Sequence, residues 1–174
     1  DWEPPSKDIY FDNKKLKELI GDKKSYWIDE ELFHKDKSIK NFFKKLGISS
    51  KPSSLILLDR MSDLADHLPN TEIVQKSANA FYALCDLYIN SSNKDEFISQ
   101  LTDQTSAIEL DENLLLFPIL HDSENWHSSS EDIFEPYEYK SFESSGVNIL
   151  AFTELEKIKD CQDLMQFFNF QKVE

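Results

Sequence analysis

The sequence predicts an α+β fold, with a helical block over about residues 12–102, a strand-containing block over about 106–152, and a C-terminal helix. Three observations predict it. Only three glycines (Gly21, Gly47, Gly146) occur in 174 residues, so few positions can adopt a positive φ cheaply, which disfavours hairpin-rich architecture. Apolar residues recur every three or four positions through the first hundred residues, the period of an amphipathic helix. Beyond Ser106 the apolar residues instead run together, as in Leu114-Leu115-Leu116-Phe117, the pattern of a strand buried on both faces.

The elements follow in order. Asp12-Asn13 offers an N-cap for a helix over 14–20, and Gly21 is placed to end it. Tyr26-Trp27-Ile28 reads as a short strand or anchored loop. Ile39, Phe42, Phe43 and Leu46 share a helical spacing over 37–46, and Gly47 supplies the stop. Pro52-Ser53-Ser54 opens a helix carrying Leu55, Leu58, Met61, Leu64, Ala65 and Leu68, closed by Pro69. Asn70-Thr71 opens a longer helix through Tyr88, and 94–101 forms a short one. Residues 107–110 and 114–120 read as two strands, 122–131 as a polar loop around Trp126, 147–152 as a strand and 155–168 as a helix. The chain thus divides into a mainly helical lobe, 1–105, and an α+β lobe, 106–174, with a single continuous domain as the alternative.

Bulk properties narrow the class of function. A hydrophobic content of 40% with 13% aromatics suits a packed core rather than a disordered tail. Residues 1–60 carry 13 Lys+Arg against 11 Asp+Glu; the remainder carries 6 against 22, a net of −16. That acidity excludes a nucleic-acid or anionic-membrane surface there. Cys85 and Cys161 lack metal-ligand spacing and read as buried reduced thiols, which fits an intracellular protein, cytoplasmic or nuclear. No apolar run approaches the roughly 18 residues of a membrane span.

An internal echo points to a repeated unit. Trp2 and Trp126 are each followed six residues later by Asp-Ile-aromatic, Asp8-Ile9-Tyr10 and Asp132-Ile133-Phe134. Ile39-Lys40-Asn41-Phe42-Phe43 and Leu164-Met165-Gln166-Phe167-Phe168 then follow at nearly equal distances. The expected anchors are Trp2, Phe42, Phe43, Trp126, Phe167 and Phe168, with Leu46 buried beside Phe42 and Phe43 and the two Trp in equivalent loops. On this pattern the chain is one stretch of a longer repetitive protein, and 106–125 has a counterpart upstream of Asp1.

The pattern Phe42-Phe43-Lys44-Lys45-Leu46-Gly47-Ile48, then Lys51-Pro52-Ser53 and a Leu-rich helix, resembles segments of very large sacsin-like proteins, the NO VEIN-like proteins in particular. The resemblance covers residues 1–65 well and 110–174 loosely. It implies a multidomain parent with a Bergerat-type ATPase domain elsewhere and chaperone-like or nuclear regulatory roles. It assigns no catalytic residue to this stretch.

No catalytic or cofactor-binding residue is identified. Gln75 stands where a Bergerat-type ATPase helix needs Glu four residues before Asn79, and no phosphate-binding glycine motif exists. The candidate metal ligands are His121, Asp122 and His127, two imidazoles and a carboxylate within one loop. Asp132 with Glu138-Tyr139-Lys140 mimics a nuclease core, in which two carboxylates hold a metal ion. Two function classes result. The first is a non-catalytic protein-interaction or scaffolding module, without cofactor, whose partners are other proteins or other domains of its parent. The alternative is a small metal-dependent hydrolase or nuclease-like domain using residues 121–140.

Overall fold

The computed structural model describes residues 9–21, 25–29, 31, 36–110, 115–136 and 146–172, without the side chains of Glu109 and Leu110. Trp2 and the 138–140 part of the nuclease-like pattern lie outside the described residues. The architecture is α+β, with helices and short strand pairs. The chain forms two compact units, 1–53 and 54–174. The transition expected near residue 105 falls inside a helix.

The first unit is a small βαβ-like arrangement. Strand β1 (Ile9–Phe11) pairs in parallel with β2 (Tyr26–Ile28), Tyr10 opposite Trp27. Between them α1 (Lys14–Ile20) starts where the Asn13 side chain accepts from the Leu16 N–H at 3.2 Å, and it buries Leu16 and Ile20. Helix α2 (Lys37–Lys45) starts under an Asp36 cap and returns the chain to β1, where Ser49 bridges Tyr10. Phe11 and Ile48 are buried together, with Ile9, Ile28 and Phe43 packed against them.

The second unit holds α3 (Ser54–Leu64), α4 (Thr71–Ile89) and α5 (Lys94–Leu110). Asn70 caps α4 by accepting from the Ile73 N–H at 3.0 Å, and Lys94 Nζ donates to the Tyr88 and Ile89 carbonyls at its far end. Strand β3 (Leu116–Pro118) forms an antiparallel hairpin with β4 (Trp126–Ser128), and β5 (Ile133–Phe134) pairs in parallel with β6 (Asn148–Ile149). A bridge between Ile119 and Leu150 joins the two pairs. Helices α6 (Leu155–Ile158) and α7 (Gln162–Phe167) close the chain. Phe81 of α4 meets Phe152, Phe168 and Phe170, and Phe117 of β3 meets the same three. All five rings are at most 4% exposed, and enclosing each is worth about 1.5–3 kcal/mol.

Three expectations are corrected. Residues 107–110 are not a strand: no Gly or Pro interrupts the chain from 94 to 110, so the short helix expected over 94–101 continues to Leu110. It buries Leu101 and Ile108, seven residues apart on one face. The C-terminal helix is two pieces, broken between Lys159 and Cys161. Phe42 and Leu46 are not core residues, being 58% and 60% exposed. Helix α2 turns the adjacent flank inward, so Phe43, with Ile48 just past the helix, packs against Phe11 while Phe42 faces out. Of the other expected anchors, Phe168 is buried and Phe167 and Trp126 are half-buried.

The internal echo has a structural counterpart, in a register that the sequence match missed by three residues. Strand β5, like β1, is flanked in parallel on both sides: by β6 and by a bridge from Phe134 to Gln171, as Tyr10 is bridged to Ser49. The Phe11 N–H donates to Ser49 at 3.1 Å, and the Glu135 N–H to Gln171 at 2.9 Å. Both helices before these bridges end alike. Ile48 donates to Phe43 and Gly47 to Lys44; Phe170 donates to Met165 and Asn169 to Gln166. Gly47 and Asn169 occupy the left-handed step, at φ 91° and 59°. Thus α2 corresponds to α7 with Ile39 at Cys161, Phe42 at Leu164, Phe43 at Met165 and Leu46 at Phe168. The Phe-Phe pairs suggested a different register because the second copy is two residues shorter between strand and bridge.

Candidate functional site

In the polar loop three titratable side chains meet: Asp122, His127 and Glu131. Asp122 closes its turn by accepting from the Glu124 and Asn125 N–H groups at 3.0 and 2.9 Å. This bend returns the chain into β4 and brings His127 back over it. His127 Nε2 lies 3.0 Å from Asp122 Oδ2, and Nδ1 lies 2.9 Å from Glu131 Oε2. Glu131 also accepts from the Ser128 N–H at 2.9 Å, fastening the turn that follows β4.

A histidine between two carboxylates donates to both only when doubly protonated. Partial burial opposes charge on His127, but the bonds to Asp122 and Glu131 outweigh it and raise its pKa. In return His127 holds Asp122 well below the usual carboxylate range, helped by the Glu124 and Asn125 N–H groups, and His127 with the Ser128 N–H lowers Glu131. Of the three candidate ligands the structure brings two together, Asp122 and His127, hydrogen-bonded to each other, and the second ring nitrogen of His127 is engaged by Glu131. His121 occupies the turn at φ 67° with an exposed side chain and does not join them. Among the described residues no group of His, Cys, Asp and Glu is arranged to hold a metal ion. The arrangement is a clamp that staples the β3–β4 turn to the one after it. Glu131 was absent from the sequence reading, although its four-residue spacing from His127 was visible there.

Trp126 extends this clamp to the helices. Its indole N–H donates to the His67 carbonyl, just past the end of α3, at 2.6 Å. The hairpin is thereby tied to the segment between α3 and α4.

A second feature has a different chemical character. On α2 the side chains of Ile39, Phe42 and Leu46 are 40%, 58% and 60% exposed and lie at three- and four-residue spacing, so they share one face. Lys45, three residues on from Phe42, is exposed beside them, and Lys37 and Lys44 are exposed on the other side of the helix. Single exposed apolar residues are ordinary, but three on one face of one short helix form a patch of the kind that proteins use to bind each other. A cleft of about 260 Å³ elsewhere in the first unit is lined by Ile9, Tyr10, Gly47, Ser49, Pro52 and Ser53, with Lys51 the one charged side chain. Lys51 has no acid or base partner in that lining.

Among the described residues no helix is long and apolar enough to cross a membrane. No protein-family model matches the chain, and searches of the curated proteins and of the solved structures return no similar protein.

Proposed function

We propose that this chain is a non-catalytic protein-interaction or scaffolding module of a larger intracellular protein, acting on other proteins or on other domains of its parent. The observation that carries the reading is the exposed apolar face of α2, Ile39, Phe42 and Leu46, with Lys45 at its flank. Such a face loses free energy to water until a partner covers it, at about 25 cal/mol per Å². The βα unit used twice supports the reading, since repeated units extend surface rather than build an enclosed active site. The resemblance to sacsin-like proteins agrees with it. The strong acidity of residues 61–174 disfavours nucleic acid as the ligand.

The test is selection of a peptide display library on the whole chain, with counter-selection on the Phe42→Asp/Leu46→Asp double variant. Both positions are exposed, so circular dichroism is expected to be unchanged in the variant. Enrichment of ligands that bind the native chain and not the variant is the expected result. A library that enriches nothing dependent on Phe42 and Leu46 overturns the reading.

A further inference from the structure

We infer that the exposed face of α2 is the seat of a helix resembling α4: amphipathic, with an aromatic residue, a small residue four positions on and a tyrosine three further, and an acidic residue at one flank. This deepens the proposed interaction role and rests on it. The argument comes from the second copy of the βα unit, where the corresponding face is already occupied. Cys161, Leu164 and Phe168 stand at the positions of Ile39, Phe42 and Leu46, and all three are enclosed, none more than 4% exposed.

One stripe of α4 helps to cover that second face, together with Phe117, Phe167 and Phe170 around Phe168. The Phe81 ring centroid lies 5.7 Å from that of Phe168. Cys85 and Cys161 are both fully buried, and the Cys161 thiol is near enough to push the Cys85 thiol pKa up. The Tyr88 hydroxyl donates to Asp163, the residue after Gln162 at the start of α7. Phe81, Cys85 and Tyr88 are spaced by four and three residues, so they project from one side of α4 as a single apolar strip with a polar tip. The same strip laid on α2 would set its aromatic ring beside Leu46, its small residue over Ile39 and its tyrosyl hydroxyl toward Asn41, the residue at the position of Asp163.

The two seats differ in charge at one flank: Lys45, three residues on from Phe42, borders the face of α2, where α7 has Phe167. An occupant with Asp or Glu beside its apolar strip gains from that lysine, as Asp86 beside Cys85 on α4 would. The α4 of the chain itself is engaged by α7, so the occupant is a further helix of this type.

The experiment uses the whole chain and a fluorescent peptide of residues 71–90, held helical by a hydrocarbon staple on the side away from Phe81, Cys85 and Tyr88, under reducing conditions. Anisotropy is expected to show saturable one-to-one binding. The Phe42→Asp/Leu46→Asp variant should weaken it at least tenfold, and a peptide with Phe81→Ala and Tyr88→Ala should do the same. Raising salt should weaken binding, because Lys45 contributes. No binding, or equal binding to chain and variant, overturns the inference. If display ligands require Phe42 and Leu46 while the stapled peptide neither binds nor competes with them, the α4-like occupant is wrong and the interaction role stands.

Discussion

At the residue scale, position within the fold decides what each side chain is worth. Phe42 and Phe168 are both in Phe pairs, yet one is 58% and the other 4% exposed. Phe168→Ala is expected to cost about 3–5 kcal/mol, because an enclosed ring leaves a cavity. Phe42→Ala should stay within about 0.5 kcal/mol, as for other exposed positions. Urea unfolding of the two variants separates these cases. His127 makes a pH-dependent contribution whose sign follows from its shifts. Its raised pKa means that the stabilisation is complete below its ordinary value, about 6.5, and is lost as pH rises through the folded value. The lowered Asp122 and Glu131 give stabilisation present above about 4 and lost as pH falls through their folded values. A His127→Gln variant should therefore lie furthest below the native chain in thermal midpoint between about pH 5 and 6.5, with the gap narrowing toward pH 9. Glu135 behaves oppositely to a paired carboxylate. Burial raises its pKa, against opposing help from Lys172 and Gln162, and it is 4% exposed. Its ionised form opposes folding, so Glu135→Gln should raise the thermal midpoint at pH 8 and lose that advantage at pH 4.

At the scale of elements, the two copies of the βα unit act as controls for each other. The helix stop at Gly47 and the stop at Asn169 have the same hydrogen bonds and the same left-handed step. A Cβ at Gly47 would meet nothing within 4 Å, so only the backbone conformation resists substitution there. Gly47→Ala should cost about 1–2 kcal/mol, whereas Gly47→Asn should cost less, because Asn tolerates this conformation and holds the equivalent position. Equal losses for the two, measured by chemical denaturation, would show that the stops are not equivalent. The element also shows why α2 was misjudged from periodicity. Ile39, Phe42 and Leu46 form one apolar face and Phe43 with Ile48 another, and spacing alone does not say which faces the core.

At the scale of the whole molecule, two units meet at residues 53–54, between the bridge residue Ser49 and the start of α3. The second unit contains its own aromatic cluster around Phe81 and Phe117, so it should fold alone. A fragment of residues 54–174 is expected to unfold in one cooperative transition, at the midpoint of the corresponding transition in the full chain. Loss of that cooperativity in calorimetry would mean that the first unit completes the core of the second.

The sequence by itself determined the α+β class, the α3–α4 helices and the caps at Asn13, Asn70 and Gly47. These are local properties: they follow from hydrogen-bonding side chains near helix ends and from the spacing of apolar residues along a few turns. Only the tertiary structure decided the register of the repeat, which depends on a strand bridged from 37 or 39 residues away, Phe134 to Gln171 and Tyr10 to Ser49. It also decided that the His127 loop is an ion-pair clamp, since that required Glu131 to fold back onto the ring. The covered face of α7 and the bare face of α2 were settled the same way. Near-equal apolar patterns had different neighbours, and burial depends on what arrives from elsewhere in the chain, which no local period encodes.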